Sequence, residues 1–132
     1  MIDFDTARAE FESKEDGQTE WRFDQSFGDC TFCASVAWDP CDDTNRLYIA
    51  CWGGRWEVAV TDDSGASFFA ATESLSDTME AAMWHAIEQE ETANTPRRRF
   101  RYHAVVAALL GLSCPGFTLR HGPPYPYASE PE

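Results

Sequence analysis

Arg46–Val60 reads RLYIACWGGRWEVAV, and this stretch decides the fold. Two runs rich in aromatic and β-branched residues flank a Gly-Gly pair, the signal of a two-residue β-hairpin turn of the primed kind. In the second run the period is two. Trp56, Val58 and Val60 fall on one face, and Arg55, Glu57 and Ala59 on the other. A strand with one apolar face belongs to an antiparallel sheet with one face covered.

Reading outward, Cys30–Trp38 (CTFCASVAW) alternates as well, with Cys30, Phe32, Ala34, Val36 and Trp38 predicted to share a face. Asp39–Asn45 (DPCDDTN) and Thr61–Gly65 (TDDSG) are turns by composition. Ala66–Ala71 (ASFFAA) reads as the last strand and Thr19–Phe23 (TEWRF) as the first. The connections are short, so these strands make an antiparallel meander of about five.

Helices flank the meander. Phe4, Ala7 and Phe11 fall at helical spacing over residues 4–15, with Asp3 or Asp5 as cap and Gly17 as stop. Ser74 or Ser76 caps a helix to about Glu91. Asn94 or Thr95 caps another to about Leu110, with Pro96 at its favoured first position and Gly111 suited to a left-handed stop. The chain is expected to be one α+β domain over residues 1–132, with its N-terminal helix and C-terminal helix pair packed on one sheet face. Residues 113–132 hold five of the seven prolines. They read as an extended tail strapped on by Phe117, Tyr125 and Tyr127.

Charge is the strongest compositional signal. Acidic residues number 23 against 10 basic ones, a net charge of −13, while 43% of residues are apolar. The apolar fraction supports a packed core, so disorder is excluded despite the charge. A negative body repels phosphate, which argues against direct nucleic-acid binding. No apolar run is long enough to span a bilayer. The acidic N-terminus resembles neither a secretion signal nor a transit peptide, and five cysteines, an odd number, point to reduced thiols in the cytoplasm. Residues 1–95 carry 21 acidic and five basic side chains, whereas Arg97, Arg98, Arg99 and Arg101 form one short basic cluster.

The second helix carries the functional expectation. Leu75, Met79, Ala82, Met83 and Ala86 form its core stripe, with Ile87 at the edge. Glu73, Asp77, Glu80, Glu88 and Glu91 line the opposite side, with Trp84 in their midst. A large aromatic rimmed by charge is the anatomy of a binding hot spot. The competing reading is a Trp84 covered by the first helix or the tail, beside merely solvated glutamates. Further acidic candidates, Asp62 and Asp63, sit in a turn.

Other constellations are weaker. Glu88, Glu90 and Glu91 end one helix and Arg97–Arg99 begin the next, each of the wrong sign for its helix dipole. An antiparallel pairing would set them face to face. The alternative is an arginine site for a phosphate or carboxylate. Cys30, Cys33, Cys41 and Cys51 are spaced C-x2-C-x7-C-x9-C, but a strand would send Cys30 and Cys33 to opposite faces, which suits buried thiols better than zinc. His103 reads as a satisfied core histidine. Cys114 with His103 or His121 lacks the Gly-rich elbow and orienting acid of a nucleophile pair, and no phosphate-binding glycine loop occurs.

The expectation is a non-enzymatic acidic binding or inhibitor protein, without cofactor or metal. Its carboxylate surface would meet a basic, nucleic-acid-binding protein partner. Such a protein would be a DNA mimic acting against a nuclease, restriction or CRISPR machine, of the kind phages and plasmids carry, or an immunity protein for a basic toxin. The alternative is a small acidic dimeric secretion chaperone, followed by a Cys-dependent enzyme or a zinc protein. Partner binding is assigned to Asp77, Glu80, Trp84, Glu88, Glu91, Asp62 and Asp63. Neither nucleic acid nor membrane is a direct partner, and the protein acts as a monomer or homodimer.

Overall fold

The computed structural model describes residues 2–15, 17, 19–23, 30–62 and 65–112. The elements run α1 (Phe4–Glu12), β1 (Arg22–Phe23), β2 (Phe32–Ala37), β3 (Arg46–Trp52), β4 (Arg55–Asp62), β5 (Gly65–Thr72), α2 (Leu75–Thr92) and α3 (Pro96–Leu110). The five strands form one sheet in chain order, every neighbouring pair antiparallel. This is the expected α+β meander.

The hairpin that decides the fold has the predicted register. Trp52 pairs with Arg55 around Gly53 and Gly54. Gly53 takes φ +72°, a region that disfavours any side chain. Trp56, Val58 and Val60 are buried, while Glu57 and Ala59 on the other face are partly exposed. Phe32, Ala34, Leu47, Ile49 and Cys51 join them on the same sheet face. All three helices cover it, with Phe11 from α1, Met79 and Met83 from α2, and Val105 and Leu109 from α3 in the one core. Phe32 stands at its centre, 5.7 Å from Phe11 and 6.1 Å from Trp56 between ring centroids.

The helix starts follow their caps. Asp3 Oδ1 accepts from Thr6 N–H at 2.8 Å, Ser74 Oγ from Asp77 N–H at 3.2 Å and Thr95 Oγ1 from Arg98 N–H at 3.1 Å. Two stops differ from expectation. α1 ends at Glu12, with Gly17 (φ +76°) some residues further on. Gly111 sits at φ −63°, a right-handed conformation, because its N–H continues the helical pattern to Ala107 and Leu109 carbonyls.

Three strand details also depart from the periodic reading. β1 is only Arg22–Phe23. β5 extends to Gly65 and Thr72, with a register shift opposite Val58/Ala59 that leaves Phe69 between the paired residues Phe68 and Ala70. The bulge lets both Phe69 and Ala70 turn toward the helices, which strict alternation forbids. Cys30 does not share the face of Phe32. β2 begins only at Phe32, so Cys30 packs instead with Cys33 and Ala50 in a small cluster on the opposite sheet face. The predicted tail at 113–132, with Phe117, Tyr125 and Tyr127, lies outside the described residues.

Candidate functional site

α2 follows β5 directly and packs on β4, β5 and α3. Its inner side is fixed by Leu75, Thr78, Met79, Ala82, Met83, Ala86, Ile87 and Glu90, all buried. Thr78 locks the first turn, since its hydroxyl lies 2.7 Å from the Thr72 hydroxyl and 2.7 Å from the Ser74 carbonyl oxygen. At about 100° per residue this commits nearly half the helix circumference to the core.

The outer side is what remains. Asp77, Glu80, Trp84, Glu88 and Glu91 are all exposed. Trp84 is 49% exposed and, with Phe68 at 70%, is one of two exposed large hydrophobics among the described residues. From Asp77 to Glu91 the row runs roughly 21 Å along the helix at 1.5 Å per residue. The carboxylates bracket the indole on both sides, so a basic surface laid along the row would meet charge at its ends and an aromatic plane at its middle. Glu73, just before the helix, is exposed as well.

Asp62 stands apart from this row. It is half-buried and ion-paired with Arg101 of α3, so its charge holds α3 to the end of β4. Asp63 lies outside the described residues.

Two of the arginines, Arg97 and Arg101, reach carboxylates of the sheet loops in addition to whatever the helix pair offers. Arg97 reaches Asp39 in the β2–β3 loop at 2.5 Å and lies over the Trp38 ring, 5.1 Å from its centroid. Arg101 takes Asp62. Glu90 is buried and meets His103 Nδ1 at 2.6 Å. The helix pair is therefore tied to sheet loops through its arginines, and to itself through Glu90 and His103. Asp39 also accepts from Cys41 N–H at 2.9 Å and Asn45 Nδ2 at 3.1 Å. Burial pushes the Asp39 carboxyl up, but Arg97, Cys41 and Asn45 together outweigh it and hold it below the usual carboxylate range. No feature within residues 96–101 marked these partners, which lie about 40–60 positions away in sequence.

Cys30 and Cys33, expected on opposite sheet faces, instead share one cluster, because β2 begins only at Phe32 and alternation does not govern Cys30. Cys51 faces the main core, Cys30 and Cys33 lie in the cluster on the other sheet face, and Cys41 is exposed in a loop. Burial pushes the Cys51 thiol up, which keeps it protonated at neutral pH. Among the described residues no group of three or more His, Cys, Asp or Glu is placed to hold a metal ion. Cys114 and His121 lie outside the described residues, and His103 has its ring nitrogen turned to Glu90. No described helix is long and apolar enough to cross a membrane.

The sheet face away from the helices holds a surface the sequence reading left undescribed. Tyr48, Ala50, Trp52, Glu57, Ala59, Thr61, Ala66 and Phe68 line an apolar depression there. The signal was present in the sequence, because the alternation that turns Trp56 inward also turns Tyr48 and Trp52 outward. No known protein family, curated protein or solved structure matches the chain.

Proposed function

We propose that this chain is a non-enzymatic binding protein whose α2 surface docks a basic protein partner in the cytoplasm. The observation that carries this reading is Trp84, half exposed in a row of exposed carboxylates on a helix whose other side is held by the core. A carboxylate row can imitate a phosphate track, so a partner that itself binds nucleic acid fits best. That class includes the targets of phage-borne DNA mimics, anti-CRISPR and anti-restriction proteins, and basic toxins met by immunity proteins. The comparison with these is one of class and rests on charge and exposure.

The roles of the two residue types separate kinetically. Carboxylates steer encounter and set the association rate, whereas a desolvated indole slows dissociation. At 0.01 M salt the Debye length of about 30 Å spans the whole row, but at 0.15 M it falls to about 8 Å. The test uses the partner captured from the native host, with binding kinetics followed from low to high salt. Asp77→Asn, Glu80→Gln and Glu88→Gln combined should lower the association rate roughly tenfold or more at low salt, and far less at high salt. Trp84→Ala should speed dissociation roughly thirtyfold at every salt concentration. Unchanged kinetics in the triple variant throughout would remove the carboxylate row from the interface, and unchanged kinetics in Trp84→Ala as well would remove α2.

A further inference from the structure

The sheet ends on two edges that are not alike. β1 is two residues long, and a very short strand is a common way to blunt an edge. β5 has eight residues, GASFFAAT, with neither charge nor proline. Its first half, Gly65–Phe68, is exposed throughout, and Phe68 borders the apolar depression. The bulge at Phe69 is the one blunting device that β5 carries. It leaves Gly65–Phe68 in regular pairing with β4 on one side and, among the described residues, without a strand on the other. Such an edge is a template on which an extended chain adds by main-chain hydrogen bonds.

Charge selects the occupant. A second copy would bring two bodies of net charge −13 together, which self-repulsion opposes. The surroundings of β5 are mainly acidic. Glu73 follows it, Glu57 faces Ala71 across the β4–β5 ladder, and α2 runs back along it, as the 4.7 Å contact between the His85 and Phe69 rings shows. That helix carries Asp77, Glu80 and Glu88. Against them stand exposed Arg55, which donates to the Ala71 carbonyl oxygen at 3.3 Å, and Arg101 of α3, whose charge is taken up by Asp62 opposite Gly65.

From this we infer that β5 receives an extended basic segment of the partner as an added strand. One set of its alternate side chains would lie beside Phe68 and the apolar depression. The other would carry lysine or arginine toward the carboxylates of α2. The sign of the occupant rests on the reading of the α2 surface given above, whereas the edge itself does not.

The probe is a short end-capped peptide alternating lysine and valine, added to the full chain. Binding should slow amide hydrogen exchange within Gly65–Phe68. N-methylation of alternate peptide nitrogens, which removes main-chain donors and keeps the charge, should weaken binding about tenfold or more. Ser67→Lys, which charges the edge, should weaken it severalfold. Absence of binding, equal binding of the N-methylated peptide, or protection confined to α2 would each overturn the added strand. The last two would leave the acidic-surface reading standing. Equal binding of a glutamate–valine peptide would instead overturn the basic occupant and count against that reading too. A free protein that sediments as a dimer, and is split by Ser67→Lys, would make the occupant a second copy and overturn the proposal.

Discussion

Replacing Glu90 by alanine tests what joins the two C-terminal helices. The Glu90 and His103 side chains are 5% and 2% exposed, and their contact spans 2.6 Å between α2 and α3. Neither group has bulk water to fall back on. Removing one partner of a buried pair costs about 3–5 kcal/mol, most of it the desolvation of the group left behind. With a urea slope of about 1–3 kcal/mol per molar, the unfolding midpoint should fall by roughly 2 M. His103→Ala should cost a similar amount. The double variant should cost much less than the two singles together, since it leaves no stranded partner, giving a coupling of about 1.5–3 kcal/mol. Urea titrations at pH 7, followed by far-UV circular dichroism, supply all four corners of the cycle. Single variants that each lose under about 1 kcal/mol and add without coupling would refute the reasoning. α2 would then be held by its apolar stripe and the Thr78 hydroxyl, and the contact would be incidental to the position of the Trp84 row.

Two further outcomes test the frame around the site. Asp39 has its carboxyl held low in the folded state, so its contribution is present above the unfolded value of about 3.9 and fades as pH falls through the lower folded value. The stability gap between the parent and Asp39→Asn should therefore be steady from pH 7 to about pH 5 and narrow below about pH 4, and a gap that widens in acid would contradict the assignment. Trp56→Ala should cost about 3–5 kcal/mol in a denaturant titration, because its ring is fully buried. Trp84→Ala should cost about 1 kcal/mol or less, and comparable losses at the two positions would show that Trp84 belongs to the core.

The parts of the fold that could be read from the sequence are those fixed by local rules. The period of two in Arg55–Val60, the Gly53-Gly54 turn, the Ser74 and Thr95 caps and Pro96 act over a few residues, and each element they mark is present. What escaped depends on distance in the chain or on a break in period. Arg97 meets Asp39 and Arg101 meets Asp62 across long intervals, so the helical pattern around them favoured the nearer glutamates instead. Cys30 lies just outside β2, where alternation no longer governs its direction. The Phe69 bulge is invisible to a count of two. For the candidate site, the helical wheel found the carboxylate row, but whether Trp84 was covered depended on how the other elements pack. That β5 is the last strand among the described residues needed strand order, which a period count does not supply.

Strand order equal to chain order has a consequence during synthesis. The meander is complete once Thr72 has been made, yet the face holding Leu47, Ile49, Trp56 and Val58 waits for α2 and α3, which end at Leu110. At about 5–20 residues per second, that interval lasts roughly 2–8 s. For those seconds the part of the sheet face that α1 does not cover lacks the helices that hide it in the finished molecule. Residues 1–72 already carry 15 acidic and five basic side chains, so a strong negative charge is on the chain while the sheet is partly bare. Charge of that sign opposes contact between two such sheets.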